Sequence, residues 1–213
     1  MTCRLVVLAS GTGSNLQAVL DACTDGTISG EVVLVVSDRP AAPALERTRS
    51  AGRTATALPA TSNEARSSYD ARLADLVAAS RPDWVVLAGW MRLLSSVFLD
   101  RFPGRVLNLH PARPGELPGL RAIERAFDEA RAGRRTSTGV MIHLVPDEGV
   151  DDGPPLAVVD VPIHVDDALG DLTARVHAAE HRLLVDVLAR LCGAPPATLA
   201  HSSSTESRQE HRT

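Results

Sequence analysis

The chain has 213 residues, 44% of them hydrophobic, and a formal net charge of −4. Such a length suits one domain with a full core rather than two, and the hydrophobic content excludes wholesale disorder. The acidic balance argues against a general nucleic-acid binder, which needs a basic stripe, but a local arginine cluster could still hold small anions. No stretch is long enough to span a membrane, and "MTCRLVVLASGTGSN" carries too short an apolar run for a signal peptide. Cys3, Cys23 and Cys192 are widely separated and include no C-x-x-C pair. The expectation is neither a cysteine-built metal site nor a disulfide framework, as suits a reducing cytosol.

In chain order, "RLVVLAS" predicts a strand, "SNLQAVLDAC" a helix, "EVVLVVSD" a strand and "APALERTRSAG" a helix closed by Gly52. "TATAL" is a short strand, "EARSSYDARLADLVAAS" an amphipathic helix, and "DWVVLAG" and "RVLNLH" are strands again. The Val/Leu runs are nearly continuous rather than alternating, which marks strands buried on both faces. Strand–helix alternation then implies an α/β fold, an open, mainly parallel, doubly wound sheet with helices on both faces. "AIERAFDEARAG" predicts a helix, "TGVMIHLV" and "PLAVVDVPI" strands, and "DLTARVHAAEHRLLVDVLARLC" a long closing helix. Residues 1–192 read as a single domain. Residues 193–213 lack apolar periodicity and read as a flexible tail.

Gly11 and Gly13 fall between the first strand and the first helix, with Ser14 or Asn15 placed to cap that helix. A helix amino terminus there favours a phosphate. A P-loop is excluded because no Lys-Ser/Thr follows. A dinucleotide fingerprint would need a third glycine where Leu16 stands, although Asp38 at the end of the second strand fits that reading. A mononucleotide-type phosphate cradle needs only what is present.

"RVLNLHPARPGEL" is the most informative stretch. Side chains alternate along a strand, so Val106, Asn108 and His110 share one face, and Pro111 ends the strand. Ligands of open α/β sheets bind at that carboxyl end. An amide and a protonated imidazole aimed at one point can receive an oxygen that gains negative charge during acyl transfer. A carboxylate to hold the imidazole is then expected from "HLVPDEGVDDGPP", where Asp147, Glu148, Asp151 and Asp152 are the candidates. The acids lack the spacing of a calcium loop. His143, on an apolar face with Met141 and Val145, reads as a supporting residue. On the last helix Val176, Glu180 and Leu184 are spaced i, i+4, i+8, which drops a carboxylate into an apolar column, where it needs a partner.

Together "VVLASGTGSNLQAVLDAC", "VVLAGWMRLLS", "VLNLHPA", "TGVMIHLV", "DEGVDDGP" and "LTARVHAAEHRLL" resemble the phosphoribosylglycinamide formyltransferases, the folate-dependent formyltransferase family of purine synthesis. The resemblance runs in family order from the start of the chain to about Leu191. It implies transfer of a formyl group from 10-formyltetrahydrofolate, as co-substrate, to the amine of glycinamide ribonucleotide, without a metal. It implies a catalytic trio of Asn108, His110 and Asp151, with Asp152 as the fallback carboxylate. Gly13, Ser14 and Asn15 would receive the substrate phosphate, and Glu180 the ribose hydroxyls or the amine. Arg66, Met91, Arg92, Leu93, Leu94, Val145 and Asp147 would line the folate site. Residues 1–104 would form the phosphate-binding half and 105–192 the catalytic and folate-binding half. The implied partners are small molecules, neither nucleic acid nor membrane, with a homodimer left open, and the implied location is the cytoplasm. The alternatives are another folate formyl enzyme, such as a formyltetrahydrofolate hydrolase, and a nucleotide-dependent oxidoreductase. "HPARPGEL" departs from the family's usual run, so Arg113 and Pro114 are expected to reshape that loop.

Overall fold

The computed structural model describes residues 2–193; the expected tail lies, but for Gly193, outside the described residues. Seven strands form one sheet: β1 (Cys3–Leu8), β2 (Gly30–Ser37), β3 (Ala55–Ala57), β4 (Trp84–Leu87), β5 (Val106–His110), β6 (Ser137–Leu144) and β7 (Pro155–Pro162). Among the described residues six helices accompany them: α1 (Ser14–Thr24), α2 (Pro43–Ser50), α3 (Arg66–Ala79), α4 (Ser96–Leu99), α5 (Ala122–Arg131) and α6 (Leu169–Gly193). The strand order is β3-β2-β1-β4-β5-β6-β7. The first five strands run parallel, and β6 and β7 join antiparallel. Every predicted strand and helix is present within a few residues. The single turn of α4 has no counterpart in the sequence reading, because four residues are too few to show a helical period.

The apolar strands bury both faces. Leu5, Val7, Leu107 and Leu109 pack with α1, α5 and α6, through Leu16, Ala126 and Leu172 among others. Val6, Leu8, Val85 and Val106 pack with Tyr69 and Leu73 of α3 and with Phe98 of α4. The chain crosses from one side of β1 to the other between β3 and β4. That reversal opens a crevice at the carboxyl ends of β1 and β4, the place where ligands enter doubly wound sheets.

The glycine turn after β1 is held by close packing. Gly13 caps α1 with φ +75°, and a Cβ there would stand 2.8 Å from the Cβ of Ala44. Both the left-handed backbone and the contact with α2 require glycine. Neither Ser14 nor Asn15 caps the helix, contrary to expectation; no side chain does. The Asn15 amide donates instead to Oε2 of Glu180 on α6, at 3.2 Å, so tertiary pairing outcompetes the local cap. Gly11 has open space around its Cβ position.

The cysteines also depart from expectation. Cys3 at the start of β1 and Cys192 near the end of α6 form a disulfide, with Cα atoms 5.3 Å apart, and Cys23 stays free. Sequence separation of 189 residues gave no hint of this, because only the fold brings the two chain ends together. The pair sits at the amino end of β1, opposite the crevice.

Two measurements check these features. Denatured, unreduced protein should titrate one thiol and reduced protein three, with a stability loss on reduction of about 2–4 kcal/mol; three thiols before reduction would refute the pairing. Gly13→Ala should lose about 1–3 kcal/mol in urea denaturation, through the left-handed backbone and the Ala44 contact. Gly11→Ala should change stability far less.

Candidate active site

Asn108 and His110 project from the carboxyl end of β5 on the face shared with Val106, as the strand period demands. In the antiparallel register Asn108 lies opposite His143 of β6. The loop following β6 then delivers Asp151 to both β5 side chains. The Asn108 amide donates to Asp151 Oδ1 at 2.8 Å, and His110 Nδ1 lies 3.2 Å from Oδ2. The Gly119 N–H, in the loop between β5 and α5, also donates to Oδ2 at 2.7 Å. Asp151 is therefore the carboxylate of the cluster; Asp152 next to it is exposed and lies outside the cavity.

Burial works to raise the Asp151 carboxyl, but the hydrogen bonds it accepts, the Gly119 N–H among them, and the His110 charge outweigh it and hold the group below the usual carboxylate range. His143 Nε2 stands 3.8 Å from Oδ1, beyond hydrogen-bond length, so the direct donors are Asn108 and Gly119. His143 Nδ1 donates to the Leu144 carbonyl at 2.8 Å, which leaves Nε2 to accept from Asn108 at 3.1 Å. This supporting residue thus fixes which way the Asn108 amide faces. His110 is buried, and burial pushes its imidazole below the ordinary value against the opposing pull of Asp151 and the Leu117 carbonyl.

A cavity of about 820 Å³ connects this cluster to the glycine turn. One end is formed by Gly11–Asn15, His177 and Glu180, the other by the segment after β4 and the loop after β6. Glu180 neither snorkels outward nor faces solvent: it is 6% exposed and holds the Asn15 amide. Burial pushes its carboxyl up, opposed by Asn15 and His177.

The segment after β4 is draped over the sheet by two buried polar groups. Ser10 Oγ accepts the Met91 N–H at 3.0 Å, and the buried Asp70 accepts the Ser95 N–H at 2.7 Å. The Arg92 guanidinium lies over the Tyr69 ring, 4.2 Å from its centroid. Met91, Arg92, Leu93, Leu94, Val145 and Asp147 all line the cavity, with Met91 and Leu93 half exposed and Leu94 mostly committed to the core. Exposed apolar side chains beside a polar catalytic cluster suit a flat, largely apolar ligand with a few polar groups.

Two residues singled out in the sequence do not line the cavity itself. Arg66 does not line the cavity; its guanidinium is paired with Glu148, which also accepts the Ser96 N–H at the start of α4. Asp38 does not line it either, which removes the second element of the dinucleotide reading. Sequence reasoning missed Gly119, whose N–H reaches Asp151 because its φ of +77° turns the backbone toward the carboxylate. The run Pro118-Gly119 was the available signal. Among the described residues no group of three or more His, Cys, Asp or Glu is placed to hold a metal, and no helix is long and apolar enough to cross a membrane.

Comparison with known proteins agrees with this geometry. Residues 3–188 match the formyl transferase family. The chain is 42% identical to the phosphoribosylglycinamide formyltransferase of Schizosaccharomyces pombe, over 88% of this chain and 96% of that one. It is 41% identical to the Escherichia coli enzyme of the same name, over 84% of this chain and 82% of that one. Among solved structures, glycinamide ribonucleotide transformylase 1 from Symbiobacterium toebii superposes with a TM-score of 0.84 at 38% identity, covering 90% of this chain and 88% of that one. With its doubly wound sheet, its asparagine–histidine–aspartate cluster and this degree of identity over nearly the whole described fold, the chain belongs to the formyl transferase family, among the phosphoribosylglycinamide formyltransferases.

Proposed function

We propose that this enzyme transfers the formyl group of 10-formyltetrahydrofolate to the amine of glycinamide ribonucleotide, giving formylglycinamide ribonucleotide and tetrahydrofolate in purine synthesis. The observation that carries this reading is a single carboxylate, Asp151, joining Asn108 and His110 in a cavity that also reaches the glycine turn.

In this reading Gly13, Ser14 and Asn15 receive the substrate phosphate at the amino terminus of α1. Glu180 takes the ribose hydroxyls or the amine. Its lifted carboxyl suits a site where a neighbouring donor or cation restores the charge. Met91, Arg92, Leu93, Leu94, Val145 and Asp147 hold the folate, with Arg66 and Glu148 at the rim. The cavity holds amine and formyl carbon together, which lowers the entropic part of the barrier. Asn108 meets the oxygen that gains negative charge as the amine adds, and the positive charge of protonated His110 stabilises it alongside. Asn108 spends both N–H groups on Asp151 and His143 before substrate arrives, so the developing oxyanion takes over one of those contacts. Negative charge growing beside His110 offsets the burial that disfavours its charged form. His110 gives its proton to the leaving folate nitrogen and is reprotonated by the ammonium formed when the amine adds, or a water carries that proton across, and Asp151 keeps the imidazole oriented. We place the reaction in the cytoplasm, as a single catalytic domain over residues 1–192. The Cys3–Cys192 pair lies away from the cavity and takes no part in it.

Folate absorbance followed with and without glycinamide ribonucleotide tests the reading. Change only when the ribonucleotide is present is the expected result. Change without it would indicate hydrolysis, and no change in either case would overturn formyl transfer. Asn108→Ala should lower kcat on the order of 100-fold or more, and His110→Ala and Asp151→Asn should lower kcat heavily with little change in KM. Near wild-type turnover in the last two variants would remove the trio from the mechanism.

A further inference from the structure

The loop from Pro111 to Arg121, which joins β5 to α5, is held in an unusual backbone. Gly115, Leu117, Gly119 and Arg121 all have positive φ, and for Leu117 and Arg121 that conformation is unfavourable by about 1 kcal/mol each. Ion pairs fasten the loop to the sheet from outside. Arg113 donates to Asp160 of β7 and Ser137 of β6, and Glu116 pairs with Arg135. One consequence of this shape reaches the catalytic cluster: the Leu117 carbonyl is turned inward and lies 3.1 Å from His110 Nε2.

That carbonyl does not stand alone. Arg125, one turn into α5, donates Nη2 to the Leu117 carbonyl at 2.7 Å and to the Pro118 carbonyl at 2.7 Å. Its Nε is buried without a hydrogen-bond partner, so the side chain gives up one donor's satisfaction while gripping both carbonyls. A carbonyl only accepts, so Nε2 of His110 must carry a proton. Nδ1, 3.2 Å from Asp151 Oδ2, also faces an acceptor. Both ring nitrogens thus face acceptors, an arrangement that favours the imidazolium against the burial that opposes it.

We infer that Arg125 is a positioning residue: its guanidinium clamps the Leu117 carbonyl against His110 Nε2 and so holds the ring in place and favours its charged form. The groups facing His110 are Asp151 from the loop after β6, His143 of β6, and the Glu116 and Leu117 backbone, with Arg125 of α5 behind the last. The Leu117 contact favours the charged form, while the Arg125 charge itself acts the other way through space. The sign of the effect therefore distinguishes clamping from simple charge.

The test is an NMR titration of the His110 imidazole in the wild type, Arg125→Ala and Arg125→Lys, with the resonance assigned through His110→Asn. No substrate is needed, so this arm stands apart from the formyl-transfer reading on which the kinetic arm rests. Arg125→Ala should lower the His110 midpoint by roughly 0.5–1 pH unit, the size of one hydrogen bond. Arg125→Lys, which can still donate to the carbonyl, should recover part of it. In the transfer assay, Arg125→Ala should reduce kcat about 10–100-fold with little change in KM, and Arg125→Lys less. A midpoint that stays put or moves upward overturns the proposal: the residue would then be structural only, or act by charge. If Arg125→Ala does not fold, the same titration of Arg125→Lys decides, with an unmoved midpoint and full kcat counting against the clamp.

Discussion

A half-buried carboxylate with few ways to be satisfied organises this molecule. Asp151 takes hydrogen bonds from β5 through Asn108 and from the β5–α5 loop through Gly119, and it faces His110 across 3.2 Å. The contacts come from β5 and from the loop that follows it, so the group cannot keep its partners unless strand and loops keep their places. A buried charge without such partners would be strongly destabilising. Asp151 itself adopts φ +55°, unfavourable for a residue with a side chain, and the surrounding donors over-determine that conformation.

The cavity takes its two-ended character from the sheet topology. Because the strand order reverses beside β1, the turn after β1 and the segment after β4 diverge and leave space between them. The first end is rich in backbone N–H groups; the second carries Met91 and Leu93 half exposed to the cavity. The catalytic side chains of β5 lie between the two. An anionic substrate and a flat apolar one can thus approach the same atoms from opposite sides, which a direct transfer between two bound molecules requires. Glu180 extends this division, since α6 carries it under the glycine turn to meet Asn15.

The loop after β5 shows how a local departure from a family's usual sequence is absorbed. Arg113 turns outward onto Asp160 and Ser137 and crosses Gly139, where a Cβ would stand 2.7 Å from the Arg113 Cγ. The outward pairing costs the cavity nothing and holds the loop that presents the Leu117 carbonyl and the Gly119 N–H. Surface ion pairs of this kind add little stability one at a time. Their effect here is geometric, because the loop they fasten touches both His110 and Asp151.

Much of the architecture was readable in the chain. Continuous Val/Leu runs separated by amphipathic segments can bury both faces only as parallel strands between helices, and the period of two placed Asn108 and His110 together at a strand end. Those are local properties, set by backbone geometry over a few residues. The sequence could not decide between Asp151 and Asp152, whether Asn15 capped its helix or served Glu180, or whether Cys3 would meet Cys192. Nor could it show that Arg66 would be taken by Glu148. In each case the competing partners are far apart in sequence and similar in chemistry, so the outcome depends on which groups the packed sheet brings within hydrogen-bonding or bonding distance. Periodicity is carried by the chain itself; partnership across 43 residues, as between Asn108 and Asp151, exists only once the core has closed.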